Sequence, residues 1–445
     1  MSSQDAVLTQ NDTYILRGQV LAFRDDPFVT GPGQAVDFNS DGAIVVSAGK
    51  IKRVGNAADI LRDAPHLSVH HYAGDMIMAG FVDCHVHYPQ TEIIASYGEE
   101  LLEWLNRYTF PAELKFADEA YARQVADYFL DTCIRNGTTT ASVYATTHPQ
   151  SVTAFFSAAE ERGMCMVTGK GMMDRNAPAG LLDTPQSGYD QSKELIETWH
   201  GRGRFIYAIT PRFAVTSSEG QLEAAGALWR AHPTALLQTH INENHNEIAL
   251  VRSLFPDAED YFAVYERFGL SGPGANFGHA IHMTEREKDA FAASGSGISH
   301  CPTSNLFLGS GLMDMKTLRE GRRDIPVGLA TDIGGGSSFS MFHTMRASYE
   351  VCRLQGYNLH PAKAFYLATV GSAATLRLGN RIGNVRVGYD ADLIVIDLDS
   401  TPQIARRMQH AKDHWEALFI QMIMADDRAV RATYINGRKV YGREV

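Results

Sequence analysis

The chain has 445 residues, 44% of them apolar and 20% charged, with a formal net charge of -11. That length and composition suit a packed soluble globule with one large and one smaller unit, not a disordered chain. The acidic balance without any basic run argues against nucleic-acid binding, and no stretch approaches the roughly 18 apolar residues of a membrane span.

The opening "MSSQDAVLTQNDTY" has no cationic start and no apolar run, so no signal peptide is expected. The first 75 residues then read as short strands with turns between them: "YILRGQVLAFRD", "GAIVVSAGKIKRVG" and "LSVHHYAGDMIMAG". Asp41-Gly42 is a hairpin candidate. The far end mirrors this pattern with "VGYDADLIVIDLD" and "AVRATYINGRKVYG", where Asn436-Gly437 marks a tight turn. One small sandwich-like β-domain built from both ends, residues 1–75 and 383–445, is the economical reading.

The middle, residues 76–382, alternates strand and helix. Eight short apolar runs stand out: "MIMAGFVD", "TTTASVYAT", "MCMVTGKGMM", "FIYAITPRF", "ALLQTHINE", "ANFGHAIHM", "GISHCPTSN" and "IPVGLATDIGG". Helical spacing lies between them. "DEAYARQVADYFLDTCIRNG" has Arg135 in its last turn and Gly137 just beyond. Ser218 with Gln221, and Thr284 with Glu287, read as capping boxes. Pro361 opens a helix that Gly379 is expected to close. Eight such units predict an α/β fold of the (β/α)8 TIM-type barrel class, whose chemistry sits at the C-terminal strand ends.

The unusual residues fall at those ends. His85 and His87 alternate along strand one, so both side chains point one way. Arg212 and Phe213 end strand four, His240 and Glu243 strand five, His279 strand six, His300 strand seven and Asp332 strand eight. Three imidazoles and a carboxylate, His85, His87, His240 and Asp332, form a reasonable zinc or iron(II) set with room for a water. Any one of the 17 histidines alone reads better as an ordinary core or surface residue; the shared barrel end is what favours the metal. H-E-x-x-H is absent, and "HINENH" fails H-x-x-E-H because its second His comes one place late. Glu243 reads instead as an acid-base group beside the metal, placed just past the strand end where the chain turns. A metal-acidified water with Asp332 and Glu243 as proton carriers suits hydrolysis at an electrophilic carbon.

The five cysteines, Cys84, Cys133, Cys165, Cys301 and Cys352, are scattered and form no C-x-x-C pair. They read as free buried thiols in a reducing cytoplasm, and they exclude the small zinc deaminases of the P-C-x-x-C type.

The strand-one His-x-His followed by "YPQ", then "LLEWLNRYTFPAE" (101–113), "PRF" (211–213), "HINEN" (240–244), "GHAIHM" (278–283), "HCPTSNL" (300–306) and "LATDIGGGSSFSM" (329–341) occur in an order that resembles the amidohydrolase superfamily, and within it the guanine-acting branch. The resemblance spans essentially the whole chain. It implies one zinc per chain on His85, His87, His240 and Asp332, with iron(II) as the other candidate. It implies that His279 hydrogen-bonds the attacking water, that Gln90, Arg212 and Phe213 bind a purine beside His240 and Trp104, and that Glu243 shuttles the proton. Superfamily members with two metals carry a bridging carboxylated lysine late in strand four. Here that region reads "ITPRF", so a single metal is expected, and Lys170 on strand three reads as a buried lysine paired inside the barrel.

The residue chemistry agrees with a purine. Arg212 offers a planar donor fork and Gln90 both donates and accepts. Trp104, Tyr108, Phe110 and Phe213 offer flat walls, with core packing as the alternative for each. The expected activity is hydrolytic deamination of guanine to xanthine and ammonia, with the purine and water as the only partners besides a second copy in a cytoplasmic homodimer. The rival readings are the same chemistry on 8-oxoguanine, cytosine or a triazine, and a non-catalytic scaffold, which loss of metal ligands would signal.

Overall fold

The computed structural model describes residues 12–98, 100–321 and 323–443. The stretch read above for a leader lies outside the described residues as far as residue 11. Four strands come first: β1 (Thr13–Phe23), β2 (Val36–Ser47), β3 (Lys50–Asn56) and β4 (Ser68–Ala79). The middle holds β5 (Phe81–His87), β6 (Thr138–Tyr144), β7 (Cys165–Gly169), the two-residue β8 (Gly171–Met172) and β9 (Ile206–Pro211). It continues with β10 (Leu236–Ile241), β11 (Ala275–His279), β12 (Gly297–His300) and β13 (Val327–Leu329). Then follow β14 (Leu393–Ile396), β15 (Val430–Ile435) and β16 (Arg438–Gly442).

The first and last groups form one sheet, in the order β16-β15-β14-β4-β1-β2-β3. Its two sequence halves meet where β4 and β14 run antiparallel, Met76 opposite Ile396 and Ala79 opposite Leu393. Side-chain alternation explains the unbroken apolar run "LIVI" of β14. Leu393 and Val395 face a cluster that the curled sheet encloses with Tyr14, Leu16 and Tyr434. Ile394 and Ile396 face the other way and join the core of the barrel.

The barrel strands run parallel in the order β5-β6-β7-β9-β10-β11-β12-β13, with β8 beside β9. Helices cover them. In the helix Glu119–Arg135 the buried Ala122, Val125, Ala126, Phe129, Leu130 and Cys133 recur at three- and four-residue spacing, and the Asp118 side chain caps the first turn. The last strand closes on the first through backbone bonds: Asp332 N donates to His85 O at 3.0 Å and His87 N to Ile333 O at 2.9 Å. Asp83 completes the seam, accepting from Thr331 N at 3.1 Å and from the Thr331 hydroxyl.

Several expectations shift. "MIMAGFVD" is not one barrel strand: Met76 to Ala79 pair in the small sheet and the barrel begins at Phe81, beyond the joint at Gly80. Only glycine fits that joint, since a Cβ there would lie 2.3 Å from Thr139 Oγ1. Asp41-Gly42 makes no hairpin. β2 runs straight through it, Gly42 pairing with Gly18 on one side and Asn56 on the other. The glycine sits opposite an irregularity in β1 between Gly18 and Val20. The turn comes later, at Ala48 and Gly49, with φ of 48° and 71°. Asn436-Gly437 does turn, with φ of 50° and 76°. The Thr284–Glu287 capping box forms in full. At Ser218 only half forms, because Asp174 takes the Ser218 backbone N–H at 2.7 Å that Gln221 would have bonded. The helix opened by Pro361 ends at Thr375, short of Gly379, with Arg377 left-handed at φ 56° just after it. Two helices, Pro402–Met408 and His414–Met424, stand where no element was read.

Candidate active site

The C-terminal strand ends converge as the barrel reading requires. His85 and His87 leave β5 on the same side, with their Nε2 atoms 3.3 Å apart. His240, at the end of β10, brings its Nε2 to 3.2 Å from that of His87. Asp332 Oδ1 lies 3.4 Å from His85 Nε2 and 3.5 Å from His87 Nε2. A four-coordinate ion with bonds of about 2.0 to 2.2 Å needs its donors about 3.3 to 3.6 Å apart. The separations of His87 from His85, His240 and Asp332 and of His85 from Asp332, 3.2 to 3.5 Å, lie within about 0.1 Å of that spacing. Burial pushes the His85, His87 and His240 imidazoles down, keeping their lone pairs free. Arg212 O fixes the His240 ring by receiving its Nδ1 at 2.7 Å, the second contact a metal-binding imidazole ordinarily makes. Donor type, spacing and protonation therefore fit a cation.

His279 and Cys301 also come within 4.8 Å of His85 and Asp332. Burial holds the Cys301 thiol well above its ordinary value, and it donates to Ser299 O, so it remains a neutral thiol. Burial would also lower His279, but the charges of Glu243 and Asp332 outweigh it and hold this imidazole up. Its Nδ1 contacts Asn305 Oδ1 at 2.8 Å, and its Nε2 faces Glu243 Oε2 at 3.4 Å and Asp332 Oδ2 at 3.8 Å. Among the four histidines it is the one suited to donate.

The two carboxylates are pushed apart. Burial raises Glu243 to about 7; His279 opposes this while the charges of Glu247 and Asp332 add to it, and Ser310 Oγ donates to its Oε1 at 3.1 Å. Burial acts on Asp332 in the same sense but is overcome, chiefly by His85 and then His279, so Asp332 stays below the ordinary carboxylate range. The chain turns sharply to present them: Asn242, directly after β10, has φ 51° and Asp332, three residues past the end of β13, has φ 49°, both left-handed.

A cavity opens on these groups, lined also by Gln90, Trp104, Arg212 and Phe213. Trp104 presents its ring only, since its Nε1 donates to Ser96 O at 3.1 Å. Phe110 and Tyr108 do not line this cavity; Phe110 borders a neighbouring groove and Tyr108 packs on the core. His300 is buried and turned away from the cavity lining. Lys170 is fully buried and paired with Asp183, away from the imidazoles.

Two residues were read without a role. Tyr144, at the end of β6, lies against the His85, His87 and His240 rings at 4.5 to 4.8 Å between centroids and forms the floor beneath them. Its place at a barrel strand end was the available signal. Glu113, the last residue of "LLEWLNRYTFPAE", is buried behind the cavity with its Oε1 2.6 Å from Arg212 Nη1.

The amidohydrolase family pattern matches residues 76–440. A guanine deaminase of Escherichia coli (strain K12) is 46% identical over 410 residues, covering 92% of this chain and 93% of its own. The solved structure of E. coli guanine deaminase superposes with a TM-score of 0.94 at 44% identity, over 97% of this chain and 100% of that one. A guanine deaminase from C. acetobutylicum, solved with guanine in its active site, superposes with a TM-score of 0.86 at 28% identity, again over 97% and 100%. The chain belongs to the amidohydrolase family, and its sequence places it with the guanine deaminases of that family.

Proposed function

We propose that this protein hydrolyses guanine to xanthine and ammonia, using one zinc ion held by His85, His87, His240 and Asp332. The observation that carries the mechanism is the pair of buried carboxylates, Glu243 and Asp332, on either side of His279 with their proton affinities driven apart. Such a divergence assigns acid and base roles. The metal would supply a water acidified toward neutrality. Asp332, ionised, would take the proton from the attacking water as oxygen adds to C2, the carbon that bears the amine. Glu243 gives a proton to the adjacent ring nitrogen. His279 donates to the oxygen that arrives. Asp332 then carries its proton to the amine, and the C2–N bond breaks as the C2 hydroxyl returns its proton to Glu243 and becomes the carbonyl, so that ammonia leaves and both carboxylates regain their starting state.

Arg212 and Gln90 hold the lactam edge of the base, and Phe213 and Trp104 flank its plane. The family relationship and the intact set of donors weigh against a non-catalytic scaffold. The reading includes a cytoplasmic homodimer, which light scattering of the purified protein checks; no helix among the described residues is long and apolar enough to cross a membrane.

The test combines metal analysis with ammonia release over guanine, 8-oxoguanine, cytosine and a triazine. One zinc per chain and preferential release from guanine, with xanthine formed, is the expected result. Two metals with a carboxylated Lys170 would overturn the single-metal assignment. Preference for another heterocycle would overturn the substrate.

A further inference from the structure

Glu113 is a buried carboxylate that takes no part in the proposed proton transfers. It lies in the helical turn Phe110–Leu114, directly after a π turn at Leu105–Thr109, an irregularity often found at functional sites. One oxygen, Oε1, accepts from Arg212 Nη1 at 2.6 Å and from Gln90 Nε2 at 3.4 Å. Its other oxygen has no hydrogen-bond partner among the described residues. Glu113 is absent from the cavity lining, whereas Arg212 and Gln90 are both in it.

We infer that Glu113 is a positioning residue that sets guanine selectivity by orienting Arg212 and Gln90 from behind. A carboxylate only accepts, so it dictates which end of the Gln90 amide turns toward it. The amide nitrogen faces Glu113, and the carbonyl oxygen is left toward Gly334 N at 3.4 Å. The charge-assisted bond to Nη1 likewise fixes the plane of the guanidinium, which leaves the rest of its fork for the ligand. One carboxylate thus sets the direction of both groups that meet the lactam edge. This inference rests on the proposed role of Arg212 as a guanine contact.

The test compares guanine with 2-aminopurine, which keeps the reacting amine but lacks the 6-oxo group that Arg212 and Gln90 would read. Glu113→Gln keeps the shape and one acceptor but loses the charge. It is expected to lower kcat/KM for guanine by at least about tenfold, mainly through KM, while 2-aminopurine changes little and zinc content is unchanged. In an Arg212→Lys background the same change should have a smaller effect on the guanine to 2-aminopurine ratio than in the parent protein, because of the two groups it orients only Gln90 is left. A merely structural Glu113 would lower both substrates together, and that result overturns the inference. If Arg212→Lys lowers the ratio but Glu113→Gln does not, the inference fails and Arg212 stands as a contact. If neither lowers it, both fail.

Discussion

Gly278→Ala should remove the metal from a site that keeps all four of its donors. Gly278 is the fourth of the five residues of β11, directly under His85. A Cβ there would sit 2.5 Å from His85 Cε1 and 2.7 Å from His85 Nδ1. Ordinary carbon contacts begin near 3.5 Å, so the ring must retreat by about 1 Å. Metal-donor bonds tolerate only about 0.2 Å. The required shift is several times that tolerance, and the ring is hemmed in by Tyr144 at 4.6 Å and His240 at 4.7 Å between centroids. The strand backbone itself accepts alanine, so the damage comes through His85. Overpacking adds a stability cost of about 1 to 3 kcal/mol. The assay is zinc content by elemental analysis alongside ammonia release, with denaturant unfolding to confirm that the chain still folds. Gly33→Ala is the control, because nothing lies within 4 Å of a Cβ built there. A folded Gly278→Ala protein with a full equivalent of zinc and normal turnover would show that His85 is not held where the metal needs it.

Glu243→Gln keeps shape and hydrogen bonding but cannot ferry a proton, so kcat should fall by a factor of about 10² to 10⁴ with zinc retained; loss of zinc would put Glu243 among the ligands instead. Lys170→Met should leave zinc content unchanged while costing about 3 to 5 kcal/mol in urea unfolding, because Asp183 is left buried without its cation; a drop in bound metal would return Lys170 to the metal site. Arg204→Ala should cost a similar amount, since Arg204 bridges Asp390, at 3.0 Å, and Asp392 where the barrel meets the small sheet. Turnover per folded molecule should not change, and a loss under about 1 kcal/mol would mean that this ion cluster holds nothing together.

The site was legible where it depends on strand geometry. His85 and His87 share a face because strands alternate, and His240 and Asp332 come beside them because barrel strands all end at one mouth. Glu243 was legible as a turn residue from parity alone, and Asn242 supplies the turn. What failed was punctuation. Asp41-Gly42 has the sequence of a hairpin, but β1 and β3 pair along β2 on both sides of it, and those ladders outweigh a local turn preference. "MIMAGFVD" reads as one apolar strand, yet Gly80 divides it between two sheets, and a buried run carries no periodicity that marks such a division. Glu113 was missed for another reason. Its partners Arg212 and Gln90 come from distant strand ends, and a carboxylate in a helical turn looks the same in sequence whether it faces water or a buried guanidinium.

The bonds that close the barrel are also the bonds that build the site. His85 O receives Asp332 N, so two donors 247 positions apart are brought together by the same seam that joins β13 to β5. β13 is short, only Val327 to Leu329, and offers few ladder bonds of its own. It is held by side chains: Ser372 Oγ accepts from Leu329 N at 2.9 Å, and Asp83 caps Thr331. A cation on these four donors can bind only a chain in which the seam is already closed. Its binding energy therefore adds to the stability of the closed barrel and not to any partly folded form. The strained residues at the strand ends are compatible with this. Asp332 at φ 49° and His279 at φ 72° occupy conformations that cost energy in an open chain, and the closed seam is what holds them there.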